Sequence, residues 1–186
     1  MESAFDGDPD WQITHQLVDG TTMRVRPILP EDRDELRHAF EEASPQTRYL
    51  RFGLAVGTLT DAALTYLTCV DQRDHVALVG ISTSPDLKAE RGVGVARFVR
   101  SKNDPQVAEA AVAVIDDMQH KGVGRALTRE LARAALARGI TKLRADVLRV
   151  NGPMRTILER VGARPLAPED TDATTTYELD LTPFAE

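Results

Sequence analysis

Between an apolar, β-rich run at residues 110–115 and a helix-forming run at residues 125–138 lies the stretch Gln119-His120-Lys121-Gly122-Val123-Gly124-Arg125-Ala126. A strand, a tight glycine-containing loop and a helix start, in that order, make a cradle for an anion. The first N–H groups of a helix lack intrahelical partners, and the helix dipole places roughly half a positive charge there. Glycines clear side chains from the approach, so a pyrophosphate can settle on bare backbone. The spacing then selects among nucleotide motifs. A dinucleotide fold wants G-x-G-x-x-G, but the third position after Gly124 is Leu127, and no acidic ribose partner follows a second strand in register. The P-loop pattern G-x-x-x-x-G-K-[ST] is absent as well. On this pattern alone a plain strand-to-helix turn stays open as the alternative.

A chain of 186 residues fits one domain, large enough to bury about 70% of its unfolded surface. One cysteine, Cys69, allows no intramolecular disulfide and no cysteine-rich metal site; its apolar neighbours suggest an inert thiol. The four histidines are scattered without ligand spacing, so no metal is expected. The first residues form no signal peptide and no run of eighteen apolar residues occurs, which predicts a cytoplasmic protein without a membrane segment. A net charge of −6 argues against nucleic acid as the main partner. The charge is uneven, however: residues 119–144 hold seven basic side chains and one acid, Glu130. Arg125, Arg129 and Arg133 share a helix face, which reads either as a solvated face or, nearest the loop at Lys121 and Arg125, as help for the backbone in meeting phosphates.

Period and punctuation give the organisation. Residues 11–18 and 22–28 flank Asp19-Gly20 and read as a hairpin. Pro30-Glu31-Asp32 opens a helix with Leu36, Ala39 and Phe40 as its apolar stripe; Ser44-Pro45 and Thr60-Asp61 open two more. Residues 75–82, 92–99 and 107–115 read as an antiparallel meander. After the loop, Val123, Leu127, Leu131, Ala134 and Ala135 form a helical stripe ended by Gly139. A strand at 141–148, a helix at 153–161 ended by Gly162 and a strand at 174–181 follow. The expectation is an α/β protein with a mixed, mostly antiparallel central sheet flanked by helices. Residues 11–186 make one domain, and residues 1–10, with four acids and no base, are expected to be disordered.

The pattern Gln119-x-x-Gly122-x-Gly124 after a strand resembles motif A of the GNAT superfamily of acyl-CoA-dependent N-acyltransferases. The likeness covers most of the chain. Met23-Arg24-Val25-Arg26-Pro27-Ile28 through Pro30-Glu31-Asp32 looks like the first strand and helix of many GNAT domains. Ser44-Pro45-Gln46-Thr47-Arg48-Tyr49-Leu50-Arg51-Phe52 and Asn151-Gly152-Pro153-Met154-Arg155-Thr156 are similar to segments of the bacterial Pat-type protein lysine acetyltransferases. That subgroup acetylates active-site lysines of acyl-CoA synthetases. Some of its members carry a cyclic-nucleotide-binding or synthetase-like domain, which 186 residues leave no room for, so regulation by one is not expected.

The resemblance implies acetyl-CoA as cosubstrate and an amine acceptor, foremost a protein lysine, with a small-molecule amine or a non-catalytic acyl-CoA-binding module as alternatives. It places the pyrophosphate on Gln119, His120, Lys121, Gly122, Val123, Gly124 and Arg125, and the pantetheine arm along Val112, Ala113 and Val114. Deprotonating the amine needs a base. Glu109 matches a glutamate regarded as the base in Pat-type enzymes, and Asp146 lies where other GNAT enzymes carry a catalytic glutamate. Either reads alternatively as a surface carboxylate. Asn151 is placed either to bond the pantetheine amide or to start a helix, and Arg155 either to reach the adenine end or to face solvent. Many members have a tyrosine acid seven residues beyond that asparagine; here the position is Leu158. A thiolate with a pKa near about 8.5 is readily protonated by water, so the gap does not remove the reaction. Asp71, Asp74, Asp116 and Asp117 read as loop acids, with attraction of a lysine cation as the alternative for Asp71 and Asp74, and Arg48 as a packing residue.

Overall fold

The computed structural model describes residues 4–52, 58–83, 90–166 and 173–184. Its order begins with the hairpin. Gly20 takes φ +82°, Asp19 accepts the Thr21 N–H at 3.0 Å, and β1 (Ile13–Gln16) pairs antiparallel with β2 (Thr22–Pro27), Ile13 opposite Val25. A 3-10 turn at Pro30–Asp32 leads into α1 (Arg33–Glu42). Ser44 Oγ then accepts the Thr47 N–H at 3.1 Å to start α2 (Pro45–Phe52), and Thr60 Oγ1 accepts from Ala63 N at 3.2 Å to start α3 (Asp61–Thr68). Each hydroxyl satisfies one of the first N–H groups of its helix, as the sequence signals predict.

The meander follows as β3 (His75–Thr83), β4 (Glu90–Arg100) and β5 (Val107–Val114), then α4 (Val123–Leu136), β6 (Lys142–Leu148), α5 (Gly152–Arg160), β7 (Arg164–Pro165) and β8 (Thr174–Asp180). One eight-stranded sheet has the order β1-β2-β3-β4-β5-β6-β8-β7. Every pair is antiparallel except β5 with β6. This is the mixed, mostly antiparallel sheet expected. The two-residue β7 is too short to leave a period in the sequence, and Pro165 has no N–H with which to extend it.

Helix α4 carries the main core. Val123, Leu127, Leu131, Ala134 and Ala135 are all at most 1% exposed and pack against β3, β4 and β5. Close approach depends on two glycines. A Cβ at Gly94 would lie 2.9 Å from the Ala113 carbonyl oxygen and 3.0 Å from Leu127 Cδ1; at Gly80 it would lie 2.7 Å from Met23 Sδ. The helix begins two residues before the expected Arg125, because Gly122 in the left-handed region at φ +95° turns the chain straight into Val123. It closes with Gly139 at φ +73°, where Gly139 N–H reaches Leu136 O and Ile140 N–H reaches Ala135 O. A smaller core of Val147, Ala163 and Tyr177 lies under α5, with Leu158 packed against it.

The amino terminus differs from expectation. Residues 4–10 are placed, and Phe5 is completely buried in the main core, 5.4 Å from the Trp11 ring centroid. Arg138 holds it from the other side: Nη1 donates to Phe5 O at 2.6 Å and the guanidinium lies 5.0 Å from the ring centroid. Acid content argued for disorder, but one aromatic anchor outweighs a handful of solvated carboxylates. Phe5→Ala should lower the unfolding free energy by about 3 kcal/mol or more, the range for deleting a buried phenyl ring. A urea midpoint matching that of the unsubstituted chain would show that the anchor contributes nothing.

Candidate functional site

The parallel pairing of β5 with β6 is short. It joins Val107, Ala108 and Glu109 to Lys142, Leu143 and Arg144, and beyond that the two strands no longer pair. From there β6 continues against β8 as far as Leu148, while β5 continues against β4 as far as Val114. A wedge opens between them, with backbone of residues 110–114 along one side. Alternation along β5 sends Ala108, Ala110, Val112 and Val114 to the α4 face, where all four join the core, and puts Glu109, Ala111 and Ala113 on the opposite face.

At the open end of the wedge stands the first turn of α4. Gly122 is its N-cap, no side chain caps it, and His120 just before it also has a positive φ of 61°. The helix start therefore presents N–H groups unshielded by a capping oxygen, the arrangement that holds anions. Val123 is buried and anchors the turn, Gly124 lies against Val114, and Arg125 and His120 are exposed. Gln119 turns inward: its Nε2 donates to Val114 O at 3.3 Å and to Asp116 Oδ1 at 3.2 Å. Lys121 meets Asp19 at 3.2 Å and its carbonyl accepts from Val18 N, so the β1–β2 hairpin braces the loop. Of the basic face, Arg129 and Arg133 each lie 3.1 Å from the buried Glu130, which also meets His15 Nε2 at 3.3 Å. Arg133, partly buried, is tied into the fold, while Arg129 pairs with Glu130 and stays exposed, as a solvated face would have it.

On the opposite face of the sheet, α1, α2 and the end of α3 roof a cavity of about 340 Å³. Leu36, Ala39, Phe40, Leu67 and Val95 give it apolar walls, and Ala113 on β5 joins it to the wedge. Polar groups around it are engaged with one another. Arg26 grips Asp32 with both Nη atoms at 2.7 and 2.6 Å, Glu35 Oε1 accepts the Gly92 N–H at 2.9 Å, and Glu90 pairs with Arg24 at 2.7 Å. Arg97, 6% exposed, points Nη1 to His75 Nε2 at 3.3 Å and Nη2 to Leu67 O at 3.2 Å. Burial, reinforced by the Arg97 cation and opposed by Asp71, holds the His75 imidazole below its ordinary pKa. It is therefore neutral at pH 7.

The acetyltransferase (GNAT) domain model matches residues 22–164. The chain belongs to the GNAT acetyltransferase family. It is 36% identical over 151 residues to Acetyltransferase Pat of Mycolicibacterium smegmatis, covering 81% of this chain and 44% of that protein, so it spans less than half of that relative's length. It is 29% identical to Acetyltransferase PA5475 of Pseudomonas aeruginosa, covering 86% of this chain and 83% of that one. The solved GNAT domain of S. lividans PAT superposes with a TM-score of 0.81 at 28% identity, over 91% of this chain and 97% of that domain.

Within this GNAT fold the remaining candidates fall as follows. Glu109, exposed, ends the paired part of β5, and Asp146 lies two residues beyond Arg144 on β6. Both are on the face that carries the cavity. Asp146 already accepts a hydroxyl from Thr176 at 2.6 Å. Asn151 caps α5, its Oδ1 accepting Met154 N at 3.2 Å, while Arg155 Nε donates to Tyr177 Oη at 3.1 Å and Nη1 to Arg149 O. Leu158 is core, and the Tyr177 hydroxyl is held by Arg155 and Glu159. Asp71 accepts three backbone N–H groups, from Arg73, Asp74 and His75, and Asp74 pairs with Arg100, so both acids shape the turn before β3. Cys69 is exposed. Asp116 and Arg97 were not singled out as site residues. Asp116 reaches Ser44 and Thr47, and Arg97 reaches His75 and Leu67, across more than twenty residues, and no local pattern marks those contacts. Among the described residues no helix is long and apolar enough to cross a membrane.

The Arg26–Asp32 pair fixes the turn into α1. Burial would raise the Asp32 pKa, but hydrogen bonds from Arg26 and Leu29 N and the Arg26 charge outweigh it and hold the carboxyl below its usual range. As pH falls, the unfolded chain takes up the proton first, near about 3.9. The pair's stabilisation is thus present above that value and is lost as pH falls through the folded pKa. Asp32→Asn should flatten the acid limb of the stability curve below about pH 4. Urea midpoints that fall as steeply with acid in Asp32→Asn as in the unsubstituted chain would contradict this assignment.

Proposed function

We propose that this GNAT domain transfers the acetyl group of acetyl-CoA to an amine, foremost a protein lysine side chain, by direct attack on the thioester. The observation that carries the reading is a meeting at one opened strand pair: an uncapped helix start at its mouth, an apolar cavity beside it and the Glu109 carboxylate at its vertex. The pyrophosphate lies on the N–H groups of residues 122–125, with Arg125 beside them. The pantetheine arm adds to the open edge of β5 beside Val112, Ala113 and Val114, satisfying backbone groups that no strand covers. A backbone N–H of that edge polarises the thioester carbonyl as charge develops on its oxygen.

Apolar cavity walls suit the aliphatic stem of a lysine, whose ammonium loses its hydration there and gives up its proton more readily. Glu109 takes that proton, the amine nitrogen attacks the carbonyl carbon, and as the C–S bond breaks the nitrogen gives up its second proton, through water, to the departing thiolate of coenzyme A. Asp146, its Oδ1 engaged by Thr176, is the second choice as base. Active-site lysines of acyl-CoA synthetases are the acceptors to try first, on the resemblance to Pat-type enzymes. Small-molecule amines are the comparison set.

Acetyl-CoA at a hundred times its dissociation constant should stabilise the fold by about 2.7 kcal/mol. Glu109→Gln should preserve that stabilisation and lower coenzyme A release in the presence of acceptor by about 100-fold or more, the usual worth of a positioned base. The absence of any shift with acetyl-CoA would overturn the donor assignment. Full turnover in Glu109→Gln with loss in Asp146→Asn would move the base to β6.

A further inference from the structure

The turn that carries the donor loop also holds the roof of the cavity. Asp116 opens the 3-10 turn Asp116–Met118, three residues before Gln119. Its Oδ2 accepts the Ser44 N–H at 2.8 Å, and its Oδ1 accepts both the Thr47 hydroxyl and Gln119 Nε2. Ser44 is the capping residue of α2, so Asp116 holds the start of that helix from outside. The next residue, Asp117, pairs with Arg91 at the start of β4, where Gly92 N–H is in turn held by Glu35 of α1. Thr47, Arg91 and Glu35 all line the cavity. Two adjacent carboxylates therefore tie both walls of the cavity to the segment that leads into the loop at α4.

Such ties carry information only if they span two separately occupied sites. A phosphate group on residues 122–125 fixes the loop, and the loop contains Gln119, which shares Asp116 Oδ1 with Thr47. Helix α2 spans eight residues, Pro45–Phe52, too few to be stable by its own backbone bonds, and its start is held from outside by Asp116. An element of that kind opens locally at low cost, and its order responds to a single added constraint.

We propose that Asp116 is a positioning residue that couples the two halves of the site: acetyl-CoA on the α4 loop orders the start of α2 through Gln119, Asp116 and Thr47, and so completes the acceptor cavity. The coupling is reciprocal, since an acceptor that orders α2 raises the affinity for acetyl-CoA by the same factor. This rests on the donor assignment made above.

The test uses the whole chain and acetyl-CoA as the only probe, with amide hydrogen exchange followed in peptides covering residues 44–49. Acetyl-CoA should slow exchange there by about fivefold or more, the lower end of ordinary coupling. Thr47→Val and Asp116→Ala should each remove most of that slowing while the calorimetric affinity for acetyl-CoA falls by no more than the same factor, and Thr47→Ser should restore it. Exchange across β3 and β4 in the absence of ligand reports whether each variant folds. Should Asp116→Ala not fold, the isosteric Thr47→Val with its Thr47→Ser rescue decides. Exchange at 44–49 that ignores bound acetyl-CoA, or that slows equally in Thr47→Val, overturns the coupling and leaves the donor assignment intact. No heat of binding with acetyl-CoA in the unsubstituted chain overturns both.

Discussion

The close packing of α4 on the sheet decides where everything else lies. Gly94 lets helix and strand come together, because a Cβ there would lie 3.0 Å from Leu127 Cδ1 and 3.1 Å from Val123 Cγ1 of α4, as well as 2.9 Å from the Ala113 carbonyl oxygen of the neighbouring strand. With Val123 and Leu127 pressed onto β4 at that point, the helix axis is fixed close to its first turn. The left-handed Gly122 then sets the first N–H groups beside the end of β5. A helix displaced outward by one methyl group would carry its positive end away from the wedge. The field of a helix terminus falls off within about one turn, so small displacements matter there.

The wedge has a cause in the division of the core. Beyond their three paired residues, β5 and β6 serve different apolar clusters. Val112 and Val114 pack into the main core under α4, whereas Ala145 and Val147 pack into the smaller one with Tyr177 and Ala163 under α5. Each strand follows its own helix, and the hydrogen bonds between them end where the cores divide. Glu130 keeps this arrangement from acquiring a misplaced positive field. By binding Arg129, Arg133 and His15 it ties the middle of α4 to β1, leaving Arg125 as the exposed arginine nearest the helix start.

What the sequence reveals and conceals follows from the range of each interaction. Helix stripes, the Asp19-Gly20 turn, the Thr60 and Asn151 caps and the glycine stops at 139 and 162 are settled within a few residues, and the structure has them where local patterns put them. The strand, loop and helix start around Gly122 were legible for the same reason, since they are contiguous. The other side of the site was not. Phe5 is anchored by Arg138, Asp116 by Ser44 and Thr47, and Arg97 by His75, each across a separation that periodicity does not reach. Acid-rich composition at the amino terminus gives no sign of the buried Phe5 ring, because composition averages over residues. The same holds for Asp71, whose three N–H partners make it a turn-former that a sequence count sees only as a charge.

On the proposed mechanism the placing of Glu109 matters as much as its identity. It shares a row across the sheet with Arg144, its parallel partner, and with Glu178, which stands opposite Arg144 on β8. Arg144 Nε donates to Glu178 at 2.9 Å, and Lys142 reaches the same carboxylate at 3.4 Å. Glu178 thus engages both the Arg144 and the Lys142 cations. A base must take up a proton and release it in each turnover. On that proposal Glu109, exposed at the vertex where a thioester would end, is placed to do so. Asp146, fixed by the Thr176 hydroxyl two residues further along β6, is less well placed.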